Sequence, residues 1–391
     1  MDVPAIQDLL RRQNLPGWLL YDFRHSNPIA YRTLGLDEKR HATRRWYYFI
    51  PAEGEPRKLV SPLEPAILDS LPGERAIYRT WQEREAALAS MLGGLSQVAM
   101  EYSPRGMVPY VSLVDGGTIE LIRSFGVDVI SSADLVQETV SRWGEAELRS
   151  HRRVSETLMG ILEEAYAEVA RCIRAGETLT DYTLQQFMYR RYQDEGLISE
   201  APPIVATNAR ASDPHYQPSK AHQTPIVEGD VLLIDFWAKL DQRRAMYADH
   251  TWMAFVGDRV PEMPAKIFGI VAEARDAAID LVREAAGDGR SLQGWQVDDA
   301  ARQVINEAGY SEFFVHRTGH NIGEETHGEG ANMDDFETHD IRTVLPNTCF
   351  SVEPGIYLPE FGVRSEVDVY YAPPDVLVTG GPQRQMVALL A

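Results

Sequence analysis

Cysteine is nearly missing from this sequence: 391 residues hold two, Cys172 and Cys349. Two thiols cannot build a disulfide framework or a cysteine-based zinc site. Each lies in or beside an apolar run, as plain buried thiols do. Long apolar runs are missing as well. No stretch of about 18 apolar residues occurs, so no membrane-spanning helix is expected. Residues Met1 to Asp8 contain no apolar signal core, and a cytoplasmic location is the expectation. Positive charge is scarce. Lys and Arg number 38 against 58 Asp and Glu, a formal net charge of -20. That balance disfavours nucleic acid as a partner, because phosphate binding needs clustered cations. Tandem repeats and low-complexity tracts are also lacking.

What is present describes a globular chain. Apolar residues make up 44% of it, enough for a sizeable core. At about 150 residues per domain, the length suggests two or three domains. Up to about residue 136, strand-like runs (Trp18–Phe23, Trp46–Ile50, Gln97–Tyr102, Val127–Ile130) alternate with helix-like ones. This predicts a smaller α/β domain over residues 1–136. The rest, 137–391, reads as α+β. Apolar residues at three- and four-residue steps predict a long helix from Glu145 to Arg174. Gly176 suits its C-terminal cap. Thr180 suits the N-cap of a second helix, Asp181 to Arg191. Two more helices are expected at about 265–286 and 297–308, with antiparallel strands between and after the pairs.

One stretch concentrates unusual residues. From His316 to Gly330, three histidines and four glycines fall within fifteen positions. An active-site strand and loop would use them, and so would a polar connection. Their partners lie elsewhere. Val231-Leu232-Leu233-Ile234-Asp235-Phe236-Trp237 is an apolar strand with one carboxylate inside it. A buried carboxylate needs a partner, a cation or an exit to water. Past a polar turn comes Met246-Tyr247-Ala248-Asp249-His250-Thr251-Trp252. A hairpin centred on residue 242 would set Asp235 directly opposite Asp249. The pattern repeats with Glu353 and Glu366, whose midpoint falls in the turn-like Leu358-Pro359-Glu360-Phe361-Gly362. Two half-exposed hairpins with polar outer faces would also read this way. A converging set of four carboxylates and His320 instead suits hard divalent ions, Mn, Co, Zn or Fe. So much negative charge fits two ions better than one.

These residues resemble the pita-bread metallopeptidases: prolidases, aminopeptidases P and methionine aminopeptidases. The family pattern is a strand Asp, an Asp-x-Thr, a Gly-His-x-x-Gly, a Glu-Pro-Gly and a Gly-x-Arg-x-Glu. Asp235, Asp249, His320, Glu353 and Glu366 match it in order. The resemblance spans residues 137–391 and implies a pita-bread catalytic domain. The preceding α/β domain resembles that of prolidase and aminopeptidase P. Departures are Trp237 and Trp252, where the family favours Gly and Arg, Gly328 after His327, and a longer stretch between the aspartates.

The resemblance further implies a two-metal peptidase acting on short proline-containing peptides. Manganese is expected first, and a homodimer is expected. Asp235 would hold one ion and His320 with Glu353 the other, with Asp249 and Glu366 shared. Glu353 would carry the proton, and His215 and His327 would contact the substrate. Arg364 would bind a substrate carboxylate or pair with a metal-site carboxylate. His222, His250, His316 and His339 are expected to be structural or exposed. The glycines are expected to admit a substrate backbone. An Xaa-Pro dipeptidase is the leading expectation, with aminopeptidase P as the alternative. A metal-independent creatinase-like hydrolase and a non-catalytic binding module are further ones.

Overall fold

The computed structural model describes residues 2–391. The chain divides into two compact units, Met1–Val140 and Ser141–Ala391.

The first unit holds helices α1 (Val3–Arg12), α2 (Pro28–Leu34), α3 (Trp81–Met91), α4 (Gly116–Ser124) and α5 (Ala133–Val136). Its strands are β1 (Gly17–Asp22), β2 (Trp46–Pro51), β3 (Arg57–Val60), β4 (Glu74–Ile77), β5 (Gln97–Met100) and β6 (Asp128–Ser131). They form one mixed sheet in the order β4-β3-β2-β1-β5-β6. Successive side chains of a strand point to opposite faces. Trp18, Leu20, Trp46, Tyr48 and Ile50 therefore enter one core layer, and Leu19, Tyr21, Tyr47 and Phe49 the other. Burial on both faces is why β1 and β2 read as continuous apolar runs. Strands β3 and β4 were not evident in the sequence. They are short, begin with Arg57-Lys58 and Glu74-Arg75, and β4 is an exposed edge.

The second unit carries four longer helices: α6 (Glu145–Ala175), α7 (Asp181–Asp194), α8 (Glu262–Asp288) and α9 (Gly294–Glu307). Gly176 ends α6 with φ +65°, the left-handed cap expected of it. Thr180 caps α7 by accepting the Thr183 N–H at 3.1 Å. Its strands are β7 (Leu197–Ile198), β8 (Ile204–Thr207), β9 (Val231–Leu240), β10 (Ala248–Phe255), β11 (Asn321–Ile322), β12 (Thr348–Val352), β13 (Gly355–Tyr357), β14 (Gly362–Arg364), β15 (Val367–Ala372), β16 (Asp375–Thr379) and β17 (Val387–Ala388). One sheet runs β17-β10-β9-β7, with β8 also on β9, a second runs β11-β12-β15-β16, and β13 pairs with β14.

The β9–β10 register corrects the sequence reading. Asp235 pairs with Thr251, and Asp249 pairs with Trp237. The two aspartates are diagonal neighbours, not direct opposites. Residues after the turn bond elsewhere: Met246 N–H to Ser150 Oγ and Tyr247 N–H to the Gly323 carbonyl, both at 3.0 Å. This moves the hairpin centre from 242 to 243 and each partner by two residues. A shift of two preserves the face. Asp235 and Asp249 thus share a face with Val231, Leu233, Met253 and Phe255. The second hairpin keeps the expected register. Gly355 pairs with Arg364 and Val352 with Val367. Carried across the gap at Pro354, one register sets Glu353 opposite Glu366, without a bulge.

Candidate metal centre

The two hairpins meet at one isolated antiparallel bridge, Thr251 to Glu366. The Glu366 N–H donates to the Thr251 carbonyl at 3.2 Å. The Thr251 hydroxyl donates to Glu366 Oε2 at 2.7 Å and accepts from Arg364 Nε at 2.9 Å. Arg364 also donates to the Asp235 carboxylate. That contact matches one of the two partners expected of Arg364, a carboxylate of the candidate site.

His320 enters from the glycine-rich stretch. Its N–H donates to Ser351 Oγ at 3.0 Å. Its Nε2 lies 3.6 Å from Asp249 Oδ2 and 3.4 Å from Glu353 Oε1. Asp249, His320 and Glu366 each offer a donor atom within 4.8 Å of the others, and all three are buried. Two donors about 2.1 Å from one ion stand about 3 to 3.5 Å apart. The 3.6 Å between His320 and Asp249 is close to that, and the oxygen-rich donor set suits a hard divalent cation. Asp235 lies outside this compact trio, against Arg364.

Without a cation this site is under electrostatic strain. Burial, then the charge of Asp235, pushes the Asp249 carboxyl well above its usual range. Glu366 is raised likewise, by burial and then by Asp249. Burial lifts Glu353 to about 7 against the pull of Arg364. Asp235 is raised more modestly because Arg364 opposes the desolvation. Burial, followed by His327 and Arg317, holds His320 well below its ordinary value and keeps it a neutral donor.

A cavity of about 730 Å³ opens over these residues. Asp235, Asp249, His320, Glu353, Arg364 and Glu366 line it, as do His215 and His327. The latter two are exposed at its mouth. The cavity thus collects every residue that the resemblance implicated. His327 stacks edge-on to His320, ring centres 4.3 Å apart. Low-dielectric walls, then Arg317, lower the His327 pKa.

Other expectations meet particular outcomes. Trp237 forms part of the cavity wall, whereas Trp252 turns to the opposite face and donates to the Gly380 carbonyl at 2.9 Å. His222 is exposed. His339 is exposed and pairs with Asp335 at 2.5 Å. His316 lines the cavity, but Tyr357 and the Arg317 carbonyl occupy its ring nitrogens at 2.6 and 2.7 Å. The expectation that the glycines admit a substrate backbone is corrected for three of the four. A Cβ on Gly319 would lie 1.9 Å from the Ser351 carbonyl oxygen. On Gly328 and Gly330 it would meet the Asn321 side chain at 2.4 and 2.5 Å. These glycines let the chain pack on itself. Only at Gly323 would a Cβ meet nothing nearer than 4.0 Å.

Sequence reasoning missed Arg317, Glu200 and Glu337, which also line the cavity. Arg317 adjoins His316 in the stretch already singled out. Glu200 and Glu337 lie in ordinary polar loop sequence and carry no local signal. It also missed Asp368. This buried carboxylate accepts the Asp249 N–H at 2.9 Å.

The profile of metallopeptidase family M24 matches residues 156–372, more than half of the chain. A probable dipeptidase PepE of Mycobacterium tuberculosis (strain ATCC 25618 / H37Rv) is 27% identical over 330 residues, covering 81% of this chain and 78% of that one. An Xaa-Pro dipeptidase of Lactobacillus delbrueckii subsp. lactis is 33% identical over 172 residues, 42% of this chain and 40% of its own. The crystal structure of dipeptidase PepE from Mycobacterium ulcerans aligns with a TM-score of 0.73 at 22% identity, covering 99% of this chain and 96% of that one. At that identity the likeness speaks for the fold.

Proposed function

The chain belongs to metallopeptidase family M24, and from that premise we propose that it hydrolyses the peptide bond preceding proline, as an Xaa-Pro dipeptidase. It is a peptidase, and its fold is the pita-bread domain behind an N-terminal domain. The observation that carries the finer reading is the buried trio Asp249, His320 and Glu366, with Glu353 and Asp235 beside it in one cavity. The Lactobacillus relative, named an Xaa-Pro dipeptidase, supports the substrate class.

The five residues Asp235, Asp249, His320, Glu353 and Glu366 would hold two divalent ions, manganese first. Such ions supply Lewis acidity and lower the pKa of water toward neutrality. The protein's own groups account for the remaining chemistry. Glu353, buried in the cavity 3.4 Å from His320, is the group proposed to take a proton from the attacking water. It then passes that proton to the departing proline nitrogen. His215 and His327, at the mouth, donate hydrogen bonds to the carbonyl oxygen as negative charge develops there. Arg364 holds Asp235 in place, and a substrate carboxylate is its second proposed contact. Domain roles follow the same reading, with catalysis in the second unit.

The test is hydrolysis of an Xaa-Pro dipeptide beside an Xaa-Pro-Xaa tripeptide, on chelated protein with Mn, Co or Zn restored. Metal-dependent cleavage of the dipeptide alone supports the dipeptidase. Cleavage of the tripeptide reassigns the protein to aminopeptidase P. Turnover indifferent to chelation points to creatinase-like chemistry. No turnover with metal bound removes the proline-peptidase reading.

A further inference from the structure

Behind the candidate metal centre lies a second buried polar group that the proposed reaction does not use. It consists of Asp368, His250 and His151, all fully buried or within 1% of it. Its position follows from strand geometry. Strands β10 and β15 run antiparallel and bond as a ladder only at Thr251 and Glu366. Two residues further along that register, Asp249 faces Asp368. There the strands do not bond through their backbones. The Asp368 carboxylate fills the slot instead, accepting the Asp249 N–H at 2.9 Å where a carbonyl would otherwise stand.

Two buried imidazoles stand close to that carboxylate. Ser155 Oγ accepts the Gly380 N–H at 3.1 Å and shares a hydrogen bond with His250 Nε2 at 2.9 Å. His250 Nδ1 faces Asp368 Oδ2 at 3.6 Å and has no hydrogen-bond partner among the described residues. His151 is fixed between the Tyr247 carbonyl and Thr379 Oγ1, both at 2.7 Å, and presents Nε2 to Asp368 at 3.9 Å. Asp368 Oδ1 finds no hydrogen-bond donor among the described residues. A buried carboxylate so incompletely satisfied is costly. A hydrophobic residue, like Val367 and Val369 on either side, would be the cheaper occupant.

We infer that Asp368 is a positioning residue for the metal ligand Asp249. By gripping the N–H of Asp249, it fixes the backbone from which that carboxylate reaches toward His320 and Glu366. His250 and His151 pack beside Asp368 without hydrogen-bonding it. The inference rests on the metal-site reading above. Groups that orient ligands typically matter 10- to 100-fold for metal affinity.

The probe is cobalt(II), read by titration calorimetry and by its visible absorption spectrum, on the full chain after chelation. Asp368→Asn keeps an acceptor oxygen in the same place. It should bind cobalt within about threefold of the unmutated protein, with the same spectrum. Asp368→Leu and Asp368→Ala remove the acceptor. Either should bind about 10-fold or more weakly, with a changed spectrum. A folded Leu or Ala variant with unaltered affinity and spectrum overturns the inference. So does a tenfold loss in Asp368→Asn, which is nearly isosteric and decides the question if the others do not fold. Failure of the unmutated protein to bind cobalt is a different result, because it removes the metal reading itself.

Discussion

Thr251 and Glu366 form the one backbone bridge between the two carboxylate-bearing hairpins among the described residues, and a side-chain hydrogen bond reinforces it. The Thr251 hydroxyl also receives Arg364 Nε. Thr251→Val should therefore leave two charged groups short of a partner. Expected losses are about 2 kcal/mol of stability and about 10-fold in metal affinity. Denaturant unfolding and metal titration check them. A variant as stable and as tight as the parent would show that the joint is held by backbone alone.

Glu353 sets a pH dependence. Its folded-state pKa is raised from 4.5 to about 7, chiefly by burial. In the metal-free protein a proton there favours folding. That contribution is complete below about pH 4.5 and is lost as the pH rises through about 7. Metal binding runs the other way, because ligands must shed their protons. Apparent manganese affinity should rise with pH, about tenfold per unit for each ligand proton displaced. Calorimetry at pH 5.5, 6.5 and 7.5 tests this, and a flat profile would falsify the assignment of Glu353 as a ligand.

Glu353→Gln removes the proposed proton carrier while preserving shape. Turnover of an Xaa-Pro dipeptide should fall by about 10² or more. Its melting temperature without metal should lose the decline between about pH 4.5 and 7 that this group contributes. Steady-state kinetics at saturating metal separates a loss of kcat from weakened metal binding.

Asp235 and Arg364 form a buried pair with unequal consequences when broken. Asp235→Asn leaves the Arg364 cation without its charge partner and should cost about 3–5 kcal/mol. The double variant Asp235→Asn, Arg364→Met should recover part of that loss. A double-mutant cycle on unfolding free energy measures the coupling. Strict additivity would count against the pair.

The two outer glycines of Gly-His-x-x-Gly should differ sharply. Gly319→Ala would force a Cβ to 1.9 Å from the Ser351 carbonyl oxygen, displacing His320. Gly323→Ala meets nothing closer than 4.0 Å. Thermal melting should show several degrees lost in the first variant and little change in the second, with metal binding lost only in the first.

By itself, the sequence determined whatever depends on local periodicity and short spacing. The four long helices were legible because burial of one helix face writes a three- and four-residue rhythm. The Glu353–Glu366 facing was legible because one register runs through both flanking ladders. The five candidate ligands were legible because each stands in a distinctive short motif. Strands β3 and β4 were not, since both are only four residues long and open on charged residues, and β4 is an exposed edge that needs no apolar alternation. Tertiary structure alone decided the rest. The Asp235–Asp249 offset depends on Met246 and Tyr247 bonding to Ser150 and Gly323, far away in the chain. Arg317, Glu200 and Glu337 join the cavity only once separate loops converge. Asp368 reaches Asp249 across 119 residues of chain because two strands splay beside their one bridge. Hydrogen bonds between distant segments leave no rhythm in the sequence, so such relationships appear only when the chain is folded.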